Sequence, residues 1–126
     1  MAYAPLVDLT VDCTVEGTGP SSVNVLSVAG ELDVHTAPPL RTAVEKVPPT
    51  GRLLLDLSGL TFMDSSGLGV LVLARRQVGE ANLAVVLTAR AALKVLTISG
   101  LHKSLRIYDT RTEALQALQA VPDSVL

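Results

Sequence analysis

The sequence predicts an α/β fold: one mixed β-sheet with an antiparallel N-terminal strand pair, covered by about four helices. Residues 6–15 alternate apolar and polar side chains, the period of a half-buried strand, and residues 23–29 follow after a turn-rich break. Two short apolar runs, 52–57 and 82–88, are bounded by turn residues, as suits strands buried on both faces. Helical patterns separate these runs, and the order β-β-α-β-α-β-α-β-α describes a sheet built largely by crossover connections.

The first strand sets Val7, Leu9, Val11, Cys13 and Val15 against Leu6, Asp8, Thr10 and Asp12, which reads Cys13 as a small core hydrophobe. The cluster Gly17-Thr18-Gly19-Pro20-Ser21-Ser22 is a loose hairpin turn. Thr36 can cap a first helix whose opening turn tolerates Pro38 and Pro39, because amides there have no intrahelical acceptor. Leu40, Ala43, Val44 and Val47 give that helix its apolar face, and Pro48-Pro49 stops it. A second helix spans about 66–78. A third, over 89–99, ends at Gly100, and 104–108 forms a short edge strand. Thr110-Arg111-Thr112-Glu113 has capping-box spacing and opens a last helix carrying Ala114, Leu115 and Leu118.

Composition narrows the function. The 126 residues suit one domain, and 48% hydrophobic against 17% charged residues is enough apolar material to close a core. A net charge of -2 offers a polyanion no attraction, and with only Tyr3, Phe62 and Tyr108 aromatic there is no stacking platform for bases. Nucleic acid is therefore not an expected partner. One cysteine and two histidines make a metal site improbable in composition, and none is expected. The longest apolar or glycine stretch, 67–74, falls far short of the roughly 18 residues that span a bilayer. The start MAYAPLVDLT has no basic residue, so no signal peptide and no membrane partner are expected, and the location is read as cytoplasmic.

The informative segment is Phe62-Met63-Asp64-Ser65-Ser66-Gly67-Leu68-Gly69, where a buried strand gives way to a helix. Loops at that edge of an α/β sheet meet ligands, and the free amides of a helix start favour an anion, so Ser65 or Ser66 could carry a phosphate. The plainer reading makes Asp64 or Ser65 an N-cap. Gly67 and Gly69 are each costly in a helix by about 1 kcal/mol. Packing against a strand and close approach of a partner or nucleotide both account for them. No lysine follows, so this is not a P-loop and tight nucleotide binding is not expected. Ser65 with His35 and Asp33 suggests a hydrolase, but Met63 stands where a nucleophile elbow requires glycine, and no catalytic residue is assigned. Asp56 and Asp64 carry no sign of converging; a strand-end hydrogen bond suits Asp56. Arg75 and Arg76 complement a helix C-terminus, and His102 is a surface or loop histidine.

Three motifs in order carry a family resemblance: Gly30-Glu31-Leu32-Asp33-Val34-His35-Thr36-Ala37, then Leu55-Asp56-Leu57-Ser58-Gly59-Leu60-Thr61-Phe62-Met63-Asp64-Ser65-Ser66-Gly67-Leu68-Gly69, then Ser99-Gly100-Leu101. Over about residues 6–120 the chain resembles the STAS domain of bacterial anti-sigma-factor antagonists. It is read as a single such domain over 1–126, with 1–5 and 121–126 as tails.

The resemblance implies a phosphorylatable serine directly after the loop aspartate, here Ser65. In the family, the unphosphorylated antagonist binds an anti-sigma factor that is also a serine kinase, and so frees the sigma factor. Phosphorylation releases the antagonist and a serine phosphatase resets it. The partner-facing segments map to Asp33, Val34, His35 and Thr36, and to Asp64, Ser65, Ser66, Gly67 and Leu68; no cofactor is implied. The N-terminal MAYAP and the doubled Pro38-Pro39 depart from the pattern and bear on partner choice. Two other readings are a docking module of a larger signalling assembly and a weak nucleotide-binding protein.

Overall fold

The computed structural model describes residues 9–122. Five strands form one sheet in the order β1-β2-β3-β4-β5, with β1 (Leu9–Glu16) antiparallel to β2 (Val23–Leu32) and the rest parallel: β3 (Arg52–Met63), β4 (Leu83–Val86) and β5 (Ile107–Tyr108). Four α-helices cover it: α1 (Ala37–Glu45), α2 (Ser65–Val78), α3 (Arg90–Ser99) and α4 (Arg111–Gln119). The expected mixed sheet with its antiparallel N-terminal pair is thus present, and the part of the first predicted strand over residues 6–8 lies outside the described residues.

Strict alternation along the central strands separates two apolar layers. Leu53, Leu55, Leu57, Leu83, Val85 and Leu87 face α1, α2 and α3 in the larger core. Val25, Leu54, Ala84 and Val86 face Ala114 and Leu118 of α4 in the smaller. Arg52 is 1% exposed on the α4 side, and its Nη1 donates to the carbonyl of Leu118 at 2.7 Å. A cation at the negative end of a helix is stabilising there.

The edges depart from expectation. Cys13 is exposed, not in the core, and so is Val15. The helix α1 covers only the Leu9–Val11 end of the apolar face of β1. The rest borders an open groove of about 620 Å³ with Pro39, Ala43 and Lys46 on its other side. The run expected to end at Leu57 continues to Met63, and β2 continues from Ala29 to Leu32. Ser58 and Gly59 look like turn residues but sit at a bulge. Between the pairs Ser27–Asp56 and Ala29–Gly59, β3 carries one residue more than β2, and it does so again between Gly30–Leu60 and Glu31–Phe62. Gly59 is required there: a Cβ would stand 2.8 Å from that of Ala29 and 2.9 Å from the carbonyl oxygen of Val28. The strands β4 and β5 are shorter than the expected 82–88 and 104–108.

Candidate functional site

The bulged extensions of β2 and β3 end side by side, with Leu32 paired to Met63. Each strand then turns into a helix, so the two segments expected to face a partner emerge at one edge of the sheet. The amide of Asp64 donates to the carbonyl of Leu32 at 3.1 Å and fastens one loop to the other.

In the first loop the Asp33 carboxylate organises its own backbone. Its Oδ1 accepts from the amides of His35 at 2.9 Å and Thr36 at 3.0 Å, while the amide of Asp33 donates to Thr36 Oγ1 at 2.9 Å. This reciprocal pair is a capping box with Asp33 as the cap and Thr36 three residues on. Thr36 is therefore not the capping side chain expected: its backbone is already helical (φ -97, ψ -15), and its hydroxyl donates to the carbonyl of Glu31 at 2.7 Å. Thr36's amide, ahead of opposing desolvation, holds the Asp33 carboxyl below the ordinary aspartate range, with the His35 amide adding to it. Pinned this way, the loop leaves Val34 65% exposed and His35 exposed.

In the second loop Asp64 is the N-cap of α2. Its backbone is extended (φ -103, ψ -169), and its Oδ1 accepts from the amide of Ser66 at 2.8 Å. The helix begins one residue earlier than expected, at Ser65. Because Asp64 takes the capping role, the hydroxyl of Ser65 is released from it; Ser65 is exposed and its side chain makes no hydrogen bond among the described residues. Ser66 and Leu68 are half-buried, and Leu68 packs against the larger core.

The two glycines have different explanations. Gly67 is buried, and a Cβ there would overlap Met63 Cγ and stand 3.0 Å from Leu32 Cδ2, so packing on the strand ends accounts for it. Gly69 is exposed and has only Arg41 Nη2 near, at 3.5 Å from where a Cβ would lie. Phe62, 44% exposed on β3, joins Val34 as a second apolar side chain close to the loops in sequence. It lies in the motif, yet nothing in the sequence singles it out, because alternation says which face a residue occupies and not whether that face is covered.

The remaining candidates lie apart. Among the described residues no hydrogen bond joins Ser65 to His35, and Asp33 is committed to its own turn. Asp56 does not meet Asp64. It is 7% exposed on the α4 side, where Oδ1 accepts from the Ser58 amide at 3.0 Å and hydroxyl at 2.6 Å, and Oδ2 pairs with Arg111 at 2.8 Å. Burial pushes the Asp56 carboxyl up, but Ser58 and Arg111 together outweigh it and hold the carboxyl low. Arg75 forms an exposed pair with Glu80 at 3.0 Å, and His102 is half-buried with Nδ1 3.3 Å from the carbonyl of Leu96.

A five-stranded mixed sheet with two helix-initiating loops brought together at the ends of two neighbouring parallel strands defines a domain of the STAS type. The family model described as "Mlab, STAS domain" matches residues 17–109. The anti-sigma-F factor antagonist RsfB of Mycobacterium tuberculosis is 32% identical over 110 residues, covering 84% of this chain and 89% of that protein. The crystal structure of an anti-sigma factor antagonist from Mycobacterium paratuberculosis superposes with a TM-score of 0.73 at 31% identity, over 92% of this chain and 99% of the other. The chain belongs to the STAS-domain family of anti-sigma-factor antagonists. The fold is shared too with the anti-sigma factor antagonist SpoIIAA in its unphosphorylated form (TM-score 0.67, 22% identity, 88% of this chain and 99% of the other). The Bacillus cell fate determinant SpoIIAA in its phosphorylated form gives a TM-score of 0.58 at 24% identity, over 83% of this chain and 97% of the other. Among the described residues no helix is long and apolar enough to cross a membrane.

Proposed function

We propose that this protein is a partner-switching antagonist: its unphosphorylated form binds an anti-sigma factor that is also a serine kinase, and phosphorylation of Ser65 turns binding off. The observation that carries this reading is the exposed Ser65 hydroxyl, left without a hydrogen bond among the described residues because Asp64 caps the helix. The proposed contact surface is Asp33, Val34, His35 and Thr36 together with Asp64, Ser65, Ser66, Gly67 and Leu68. The kinase moves the γ-phosphoryl group of ATP to Ser65 Oγ; the hydroxyl proton is lost and ADP leaves. A serine phosphatase hydrolyses the ester with water and restores the hydroxyl. The protein itself acts as binding module and kinase substrate, not as an enzyme.

Phosphorylation adds a charge of about -1.5 to -2. That charge falls next to Asp64, on a surface that must lose its water to bind. A helix start tolerates an anion, so release is local and electrostatic and the fold persists. That phosphorylated SpoIIAA has this fold supports such a switch. A penalty of 2–3 kcal/mol lowers affinity roughly thirty- to more than a hundredfold. Titration calorimetry with the cognate anti-sigma factor provides the test: Ser65→Ala binds as the unmodified protein does, and Ser65→Asp binds at least thirtyfold more weakly. Equal affinities of two folded variants would overturn the reading.

A further inference from the structure

The helices α1 and α2 lie side by side, and Arg41 of α1 reaches across to α2. Apart from the adjoining residues and backbone of α2, its Nη2 is the sole neighbour among the described residues within 4 Å of where a Gly69 Cβ would stand, at 3.5 Å. Nothing in the backbone of Gly69 calls for glycine, since its φ is not in the left-handed region, and glycine is a poor residue inside a helix. What glycine does supply is open surface: a side chain longer than alanine would take the place of the guanidinium. Arg41 is exposed and makes no ion pair or side-chain hydrogen bond among the described residues. The guanidinium lies over a bare patch of α2 and, although Glu45 stands one turn on along α1, it ion-pairs with no carboxylate among the described residues, so it is available to an anion on α2.

Ser65 lies four residues before Gly69 on α2, so the two share a face, with Cβ positions about 5–6 Å apart. Cβ bonds lean toward the helix N-terminus, which is toward Ser65 when viewed from Gly69. An arginine stem and a phosphoserine arm together bridge such a gap. The other titratable and charged groups on the neighbouring segments are Asp64, one residue away, Glu31, Asp33 and His35 at the end of β2 and in the loop after it, Glu45 and Lys46 one turn past Arg41 on α1, and Arg75 and Arg76 in the last turn of α2. Those beside Ser65 in sequence are mostly carboxylates, and a cation next to a phosphate there would offset their repulsion.

We infer that Arg41 is the intramolecular counter-cation of a phosphate on Ser65, its planar guanidinium donating to the phosphate oxygens. The inference rests on the reading of Ser65 as the modified residue. It gives the switch a second half. Phosphorylation adds charge to the contact surface and also draws Arg41 away from any acidic group on the partner. Arginine suits this role better than lysine because its fork pairs with two phosphate oxygens at once.

The test installs phosphoserine at position 65 during translation, so that no kinase is needed, and follows the second ionisation of the phosphate by phosphorus NMR. With Arg41 present the phosphate titrates below the free value near 6. Arg41→Gln raises that pKa by about one unit, and Arg41→Lys raises it by less. Arg76→Gln, an exposed change farther along α2, leaves it unmoved. The same titration in wild type and Arg41→Gln, or an equal rise in Arg76→Gln, would overturn the inference. Phosphopeptide mass spectrometry on the protein from its own cells separates the two ideas. Phosphate on Ser65 without an Arg41-dependent titration defeats the counter-cation alone. An Arg41-dependent titration without phosphate in cells defeats the proposed switch.

Discussion

The amide of Asp64 and the carbonyl of Leu32 are joined across the ends of β3 and β2 at 3.1 Å. That one bond sets the spacing of two loops that are separate in sequence, since Leu32 leads directly into Asp33 and Asp64 directly into Ser65. Each loop is then stiffened from within by an aspartate that accepts amides of its own turn. The two loops are thus held in place from within, and if they form the proposed contact surface, binding is spared the entropy of ordering them.

Asp64 and Ser65 are adjacent but should separate cleanly in a stability measurement. Asp64→Ala removes the carboxylate that satisfies the Ser66 amide and should lower unfolding free energy by about 1 kcal/mol. Ser65→Ala removes an exposed hydroxyl that has no hydrogen-bond partner among the described residues and should stay within about 0.5 kcal/mol of wild type. Urea unfolding of both variants measures the difference. A Ser65→Ala loss as large as that of Asp64→Ala would mean that the serine, and not the aspartate, holds the helix start.

How far the sequence discloses this site depends on the range of the interaction. The Asp-Ser-Ser-Gly loop, the helix after it and the Gly100 stop are local, and the structure holds all three, with Gly100 in the left-handed conformation (φ 79). The capping box at Thr110 is only half as expected: Thr110 Oγ1 accepts the Glu113 amide, but its hydroxyl donates to the Glu113 carboxylate instead of the carboxylate reaching back to an amide. Thr36 was the natural cap by residue type, yet Asp33 fills that role because the chain turns three residues earlier. Ser58-Gly59 reads as a turn in one dimension, and only the partner strand reveals it as a bulge. The exposure of Cys13 depends on where α1 ends, and the Asp56–Arg111 pair spans 55 residues, so neither leaves a local pattern.

That long-range pair gives the acid limb of stability its sign. The Asp56 carboxyl is held below the ordinary aspartate range in the folded protein, so it contributes stability that is full above the unfolded pKa and is lost as pH falls through the folded one. Asp33 acts in the same direction. Unfolding free energy measured from pH 7 down to 2 should therefore decline below about pH 4, and Asp56→Asn should flatten that decline. Arg111→Ala should cost about 1–2 kcal/mol at pH 7, because Arg111 is partly exposed and Ser58 keeps both its bonds to the carboxylate. An acid limb unchanged in Asp56→Asn would show that other carboxylates govern it.

Gly59 offers the sharpest test of how the site is positioned. An added methyl meets both the Ala29 Cβ and the Val28 carbonyl oxygen inside 3.0 Å, and the carbonyl is backbone that cannot step aside without disturbing β2. The disturbance falls at the first bulge, and everything past it, Ala29–Leu32 against Gly59–Met63, carries the two loops. Gly59→Ala should therefore destabilise by about 1–3 kcal/mol, the usual cost of overpacking. Its effect on hydrogen exchange should be uneven. The Asp64 amide, bonded to Leu32, should lose protection first, while the Val85 amide, bonded to Arg106 across β4 and β5, should follow only the global change. Ala29→Gly in the same chain removes one of the two clashes and should restore part of the Asp64 protection. Uniform loss of protection over both amides would mean that the bulge supports the whole sheet and not the site edge in particular.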